Sequence, residues 1–461
     1  MTKNFRVEKD SMGELSVPND ASWGAQTQRA INNFPISGLV MPANFIKALA
    51  LIKSVAASTN GKLGLINQEV AFAIERAANQ IYSGDFEHQF PVDVFQTGSG
   101  TSTNMNMNEV IANIANSDKN INIHANDHVN YGQSSNDVIP AAIHLSSSVA
   151  IEGDLIPSLD YLIQTIRDKA KTVDKIVKTG RTHLMDAMPI RFDQELSGWA
   201  KQLENNKARL ISSLSRLKQL PIGGTAIGTG INASPKYADN FIIKINDILD
   251  NSYVVSENYF EAISSQDTAV EVSGHLRTIA VSFLKIANDL RWMNSGPISG
   301  LSEISLPALQ PGSSIMPGKV NPVIPESLAM VSAQVIGNDS TIMIAGQSGN
   351  FQLNVMLPVI AYNLLQSIHI LSSSSINLAD RAIKDFSINM DDINNKLGMN
   401  PILVTALNPV IGYDKSAAIA KKAFCEKRPI LEVAAELTDL SEDELKILLD
   451  AEALTDGGIK S

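Results

Sequence analysis

The segment Gly312–Glu326, GSSIMPGKVNPVIPE, gathers more chemistry than any other part of the chain. Gly312, Gly318, Pro317, Pro322 and Pro325 forbid a continuous helix or strand, so the segment reads as a loop. Pro322 and Pro325 are suited to opening the apolar run that starts at Ile324. The loop offers Ser313, Ser314, Lys319 and Asn321, together with backbone N–H groups that no regular structure claims. Such donors gather round carboxylate oxygens.

Three further polar stretches belong to the same inventory. QTGSGTSTNMNMNEV, residues 96–110, places Ser99, Gly100 and Thr101 together and reads as an irregular turn that caps a helix starting near Asn108. NINIHANDHVNYGQSSNDVIP, residues 120–140, holds His124, Asn126 and Asp127, then Ser134, Ser135 and Asn136. The second group precedes a long helical pattern directly, so part of it is an N-cap. The rest aims short polar side chains at a helix N-terminus, where anions bind readily. GRTHLMDAMP, residues 180–189, adds Thr182 and His183. Neutral donors with one Lys suit a small dicarboxylate better than a sugar or a nucleotide. No P-loop is present and no cluster is read as a metal site, so neither metal nor cofactor is expected.

These groups suffice for one chemistry: removing a proton α to a carboxylate, then losing the β-substituent. The C–H is weakly acidic because a second negative charge must build on an existing carboxylate. Donors placed where that charge develops are usually the largest catalytic contribution, and a base and an acid within hydrogen-bond reach complete the set.

Long helices must position these loops. Leu155, Leu159, Leu162 and Ile166 mark one face of a helix over roughly 139–173, with Pro157 a kink or restart. Helical patterns recur from Phe45, over 70–81, 191–219 and 238–251, and over 275–292 through Leu276, Ile279, Phe283, Ile286 and Leu290. Residues 1 to about 45 read as an irregular arm anchored by Trp23. The Gly-rich turn Ile222–Asn232 lacks the preceding strand of a dinucleotide fingerprint. Between Asp339 and Asp380 no Asp, Glu, Lys or Arg occurs, which implies helices buried all round in a core shared between subunits. Interspersed Gln, Asn and Pro leave no clean membrane span there. The tail over 381–461 is charged and helical, with a capping signal at Ser441. Strand patterning is scarce, so the class is mostly α.

The 461 residues allow several domains, and 44% hydrophobic content allows a large core. A net charge of −11 argues against nucleic acid and anionic membrane as partners. One cysteine, Cys425, precludes an internal disulfide, and no apolar leader or Arg-rich presequence opens the chain; the cytoplasm is expected.

The loop Gly312–Pro322 resembles the GSSxMPxKxNP signature of the fumarase/aspartase superfamily. RVEKDSMG…WGAQTQRA near the start and LVTALNPVIGYDKSAAIAKKA over 403–423 extend the likeness to nearly the whole chain. The resemblance implies three domains, taken as 1–137, 138–355 and 356–461, and a homotetramer around a core of twenty helices. It implies Ser313 as the base, stabilised by Lys319 and loop N–H groups, and His183 paired with Glu326 for the leaving-group proton. Ser99, Gly100, Thr101, Ser134, Ser135, Asn136, Thr182, Ser314, Lys319 and Asn321 are implied as substrate contacts, in active sites shared by three subunits. His124, Asn126 and Asp127 match a second, non-catalytic dicarboxylate site.

Two branches fit, fumarases acting on fumarate and L-malate and aspartate ammonia-lyases. Gln96–Gly100, Ser134-Ser135-Asn136 and Gly318 look like fumarase, while Val323-Ile324-Pro325 resembles aspartase. The fumarase branch is the expectation, aspartase the alternative. A non-catalytic structural relative is disfavoured because Ser313, His183 and Lys319 are all present.

Overall fold

The periods written into the chain become long helices joined by short polar turns, in a computed structural model that describes residues 4–117 and 121–458. Asn120, the first residue of one polar stretch, lies outside the described residues.

The arm is more regular than expected. Strands β1 (Phe5–Asp10) and β2 (Gly13–Pro18) pair antiparallel, with Gly13 at φ +117° just after the two-residue turn. Their alternation is muted because both faces are largely solvated, so it does not stand out from the Asp, Gly and Pro around it. Arg6 donates to the carbonyls of Pro18, Ala21 and Trp23 and folds the arm back. Helix α1 (Ala25–Asn33) is capped from a distance, since the N–H groups of Gly24, Gln26 and Thr27 all donate to the Glu109 carboxylate.

Helix α2 (Ala43–Lys62), rich in Ala, Leu and Ile, is buried on nearly every face. It packs on α3 (Gln68–Ser83), which Asn67 caps at the start and left-handed Gly84 ends. Helix α4 (Thr101–Ala115) starts at Thr101, not near Asn108. Its Ser, Thr and Asn residues compete locally with the helix and disguise it as a loop. Buried Asn106 instead donates to Gln89 O, and Asn108 to Asn130 Oδ1.

Helix α5 (Ser135–Ala150) runs into a π turn at Ile151–Leu155 and on into α6 (Ile156–Thr172). Pro157 therefore sits in the first turn of a restarted helix, where its missing N–H costs least. A hairpin of β3 (Val177–Thr182) and β4 (Met185–Arg191) leads into α7 (Phe192–Leu217).

A strand does precede the Gly-rich turn, contrary to expectation. β5 (Gln219–Leu220) pairs in parallel with β6 (Val254–Val255) across α8 (Tyr237–Leu249). Each strand has only two residues, too short to show as a pattern, and the helix opens well past Asn232 instead of on the glycines. The dinucleotide reading stays rejected on that ground.

Helix α9 (Tyr259–Ser264) precedes α10 (Asp267–Met293), whose Leu276, Ile279, Phe283, Ile286 and Leu290 are fully buried. After β7 (Ile304–Ser305) comes α11 (Val323–Gly346), then a tight hairpin of β8 (Gly349–Asn350) and β9 (Leu353–Asn354), and α12 (Leu357–Leu378). β10 (Ser387–Ile388) pairs with β7. Short helices from Met390 to Leu454 enclose a separate small core of Leu407, Ile419, Ile430, Val433 and Leu445. The capping box of Ser441 and Glu444 forms as expected.

Helix α11 begins well before the charge-free stretch and is apolar along most of its length. It is long and apolar enough to cross a membrane by length and composition, with a mean hydropathy of 1.2 over its best window. Only 39% of that window is buried within the chain, and Met330, Met343 and Ile344 stand exposed. Its one mid-helix acid, Asp339, accepts from Ser273 Oγ and Arg277.

The chain clusters into two compact units. One comprises Met1–Pro157, Lys207–Ala280 and Ser332–Ser372; the other comprises Ser158–Asn206, Val281–Val331 and Ser373–Ser461.

Candidate active site

Two polar stretches converge in the first unit. Ser134 is the N-cap of α5; its Oγ accepts from the Asn136 N–H, while the Asp137 carboxylate accepts from the Ser134 N–H at 2.9 Å. Asn136 commits its amide to Ala226 O at 2.8 Å. At α4 the N-cap is left-handed Gly100, φ 72°, which has no side chain to cap with. Gln96 supplies the missing cap, accepting from the Thr103 N–H at 2.9 Å and from its hydroxyl at 2.8 Å. The two helix starts are then joined by a chain of hydroxyls, Ser99 to Thr101 at 2.7 Å and Thr101 to Ser135 at 2.6 Å. Three hydroxyls and the positive ends of two helices thus face one place, a ready anion site.

The second unit holds the rest. Thr182 ends β3 opposite Met185, and the two residues between them make the turn. Those residues, His183 and Leu184, have φ of 54° and 61°. A two-residue turn with both φ positive matches the twist of a hairpin, yet costs about 1–3 kcal/mol for each side chain that is not glycine. The hairpin thus thrusts an exposed His183 into solvent on a strained tip. Among the described residues no hydrogen bond or ion pair joins His183 to Glu326, although the resemblance pairs them; Glu326 lies in the first turn of α11.

The Gly312–Asn321 loop closes on itself. The Gly312 N–H donates to Lys319 O at 2.8 Å, and Asn321 Nδ2 donates to Gly312 O at 2.7 Å. A side chain at 312 would put its Cβ 2.5 Å from Lys319 O, so the closure requires glycine there. Lys319 Nζ donates to Asn321 Oδ1 at 2.6 Å. At the loop's centre Ser313 Oγ accepts from the N–H groups of Ile315 and Met316, at 3.3 and 3.1 Å. Hydrogen bonds donated to an oxygen favour its anionic form. Ser314 is exposed beside it. Lys319, Asn321 and Glu326 line a cavity of about 990 Å³ with Arg291, Trp292 and Asn389.

His124, Asn126 and Asp127 are exposed at a π turn over Ala125–Val129, which His124 caps. There His124 Nδ1 accepts from the Asp127 N–H at 3.2 Å.

A family model described as lyase matches residues 13–337, and one described as fumarase C C-terminus matches 403–456. A protein of Pseudomonas aeruginosa named fumarate hydratase class II 2 is 56% identical, over 98% of this chain and 99% of its own. The chain belongs to the class II fumarate hydratase family. Another member of that family, from Xylella fastidiosa, is 55% identical over 99% of this chain and 96% of its own. The crystal structure of class II fumarase from Schistosoma mansoni superposes with a TM-score of 0.94 at 38% identity, covering 98% and 99% of the two chains.

Two supports of the site escaped sequence reasoning. Gln96 caps α4 from outside the helix, and Gly98 lets α12 approach, since the Leu357 N–H donates to Gly98 O at 2.9 Å. A methyl at Gly98 would lie 1.8 Å from Val355 O. Gly98→Ala is therefore expected to lower stability by about 1–3 kcal/mol and to raise KM by displacing Ser99 and Thr101. Thermal denaturation and steady-state kinetics check both; an unchanged melting temperature and KM would show that the backbone gives way freely.

Proposed function

We propose that the chain is a fumarate hydratase, interconverting fumarate and L-malate, with Ser313 as the base. The observation that carries this reading is the Ser313 hydroxyl, whose oxygen accepts two backbone N–H groups at the centre of a self-closed loop. A serine is a poor base in water; two N–H donors favour its alkoxide, and the loop, exposed in the single chain, would have to be shielded from water in the assembled site. In the dehydration direction Ser313 removes a C3 proton from L-malate. The electron pair spreads onto the C4 carboxylate, and the C2 hydroxyl leaves as water once protonated. Lys319 and Asn321 meet the charge developing on that carboxylate. Ser99, Thr101, Ser134, Ser135 and Asn136 hold the other carboxylate at the two helix starts. His183 serves the leaving water, with Glu326 as its partner.

The reading includes a homotetramer in which three subunits complete each site, and the three-domain division at 137 and 355. Two observations support the assembly. The apolar face of α11 is exposed in the single chain, and His183 stands exposed on the hairpin turn with no bond to Glu326 among the described residues. A cytoplasmic location fits an acidic chain with a single exposed cysteine. The second dicarboxylate site at His124, Asn126 and Asp127 remains part of the proposal.

The aspartase alternative is the weaker one, because relatives over the whole chain length are fumarate hydratases. The test is the ultraviolet absorbance of fumarate formed from L-malate and, separately, from L-aspartate. Turnover of malate alone is expected; turnover of aspartate in place of malate would overturn the assignment.

A further inference from the structure

Next to the hydroxyl chain of the first unit lies a polar group in which Lys53, Asn104, Asn108 and Asp137 are buried and Asn130 and Gln133 half-buried. Lys53 on α2 is fully buried and donates from Nζ to Asn130 Oδ1 and Gln133 Oε1, both at 3.0 Å. Asn130 Oδ1 also accepts from Asn104 on α4 at 3.2 Å and from Asn108 at 3.1 Å. One amide oxygen thus collects an ammonium and two amides, and ties α2, α4 and the segment leading to Ser134 together. Asn130 Nδ2 in turn donates to Gln133 O at 3.2 Å, next to the N-cap.

The other end is held by Asp137, also fully buried. Besides the Ser134 N–H, its carboxylate accepts from the N–H groups of Gly223 and Thr225, at 3.2 and 2.9 Å. Those belong to the Gly-rich turn, which Asn136 also grips through Ala226 O. The turn presents these N–H groups to the carboxylate in unusual backbone shapes, with Gly223 at φ 97° and Thr225 at 55°. This gives the glycine-rich stretch a purpose that its sequence pattern alone leaves open.

We infer that Lys53 and Asp137 are positioning residues for the substrate-carboxylate subsite: Lys53 folds the segment that delivers Ser134–Asn136, and Asp137 locks the Gly-rich turn beneath it. The inference rests on the fumarate hydratase reading of that subsite. A buried ammonium and carboxylate are costly, and removing one member leaves the rest unmatched, so their retention needs a reason. Both are held near the edge of ionisation: burial pulls the Lys53 ammonium down to about 7, opposed by Asp137, and burial pushes Asp137 up to about 6 against its three N–H donors and Lys53. Tyr237 on α8 and Tyr259 on α9 also feel the Asp137 charge. A fixed scaffold explains the cost, because small misplacements of binding groups weaken binding strongly.

The test uses the full-length Lys53→Met and Asp137→Asn variants with L-malate. Loss of binding contacts made equally to substrate and transition state raises KM and leaves kcat. KM is expected to rise about tenfold or more in each variant with kcat nearly kept. Unchanged KM in a folded variant overturns the inference while the reading of function stands. Equal loss of kcat and kcat/KM with KM constant overturns it too, by assigning the pair to the chemical step. If a variant does not fold, hydrogen exchange of the unaltered protein decides. Saturating L-malate is expected to slow exchange both at 134–137 and at 223–225, and slowing at 134–137 alone sinks the coupling. Failure of the unaltered protein to turn over malate would fault the reading of function instead.

Discussion

Ser313→Ala is expected to lower kcat for L-malate by about 10²–10⁴-fold, the usual weight of a positioned base. That corresponds to about 3–5 kcal/mol of transition-state stabilisation. The fold should be unaffected. Ser313 sits in an exposed loop whose closure runs through Gly312, Lys319 and Asn321 and not through its hydroxyl. The N–H groups of Ile315 and Met316 lose an acceptor but are exposed, so water replaces it at little cost. KM should change little, because the hydroxyl acts on the C–H bond and the carboxylates are held elsewhere. The measurement is steady-state hydration and dehydration at several pH values, with circular dichroism as the check on folding. A loss smaller than about fivefold would move the base to another group and remove the main support for the assignment.

How much of this was legible beforehand depended on residue type. Long helices announced themselves wherever an apolar face repeated, as Leu276 to Leu290 did, because tertiary burial and periodicity agree there. Helix α4 did not, because its polar first turns are satisfied by Gln89, Gln96 and Asn130, partners that no local pattern names. The hairpin around His183 was equally hidden. Its turn uses His and Leu at positive φ, where the usual signal would be Asn-Gly. The Ser313 loop was the most readable part, since Gly and Pro dictate a loop and Ser, Lys and Asn populate it. That its hydroxyl oxygen receives two N–H groups is geometry, and only the fold supplies it. Charge-free helices pointed to burial; the exposed Met330, Met343 and Ile344 show that one chain does not provide it.

Glu303→Ala is expected to be the most damaging substitution outside the reacting groups. Glu303 is 2% exposed and receives Lys178 at 3.0 Å on one oxygen and Arg181 at 2.6 Å on the other. Lys178 is as deeply buried, lies 4.8 Å over the Phe192 ring and pairs also with Glu195 at 2.6 Å. Both cations stand on β3, the strand that carries the strained His183 turn. Glu303 itself is fixed by its N–H on Met293 O at 2.8 Å and by the Asn389 N–H on its carbonyl at 3.0 Å. A buried ion pair adds little net stability against a well-packed apolar substitute, but removing one partner strands the other charge and costs about 3–5 kcal/mol. Glu195 can still hold Lys178, which places the expectation for Glu303→Ala at the lower end of that range, about 3 kcal/mol. Glu303→Gln keeps an acceptor of the same shape and should lose less. Activity should fall with stability in the alanine variant, since among the described residues Glu303 is the ion-pair partner of Arg181 and the turn's strain favours its relaxation. Denaturant midpoints at fixed protein concentration, with Glu442→Ala as a surface control, measure the effect. A midpoint for Glu303→Ala equal to the control's would mean that β3 is held well enough by its strand pairing and the Lys178–Glu195 pair, and that Glu303 does not anchor the His183 turn.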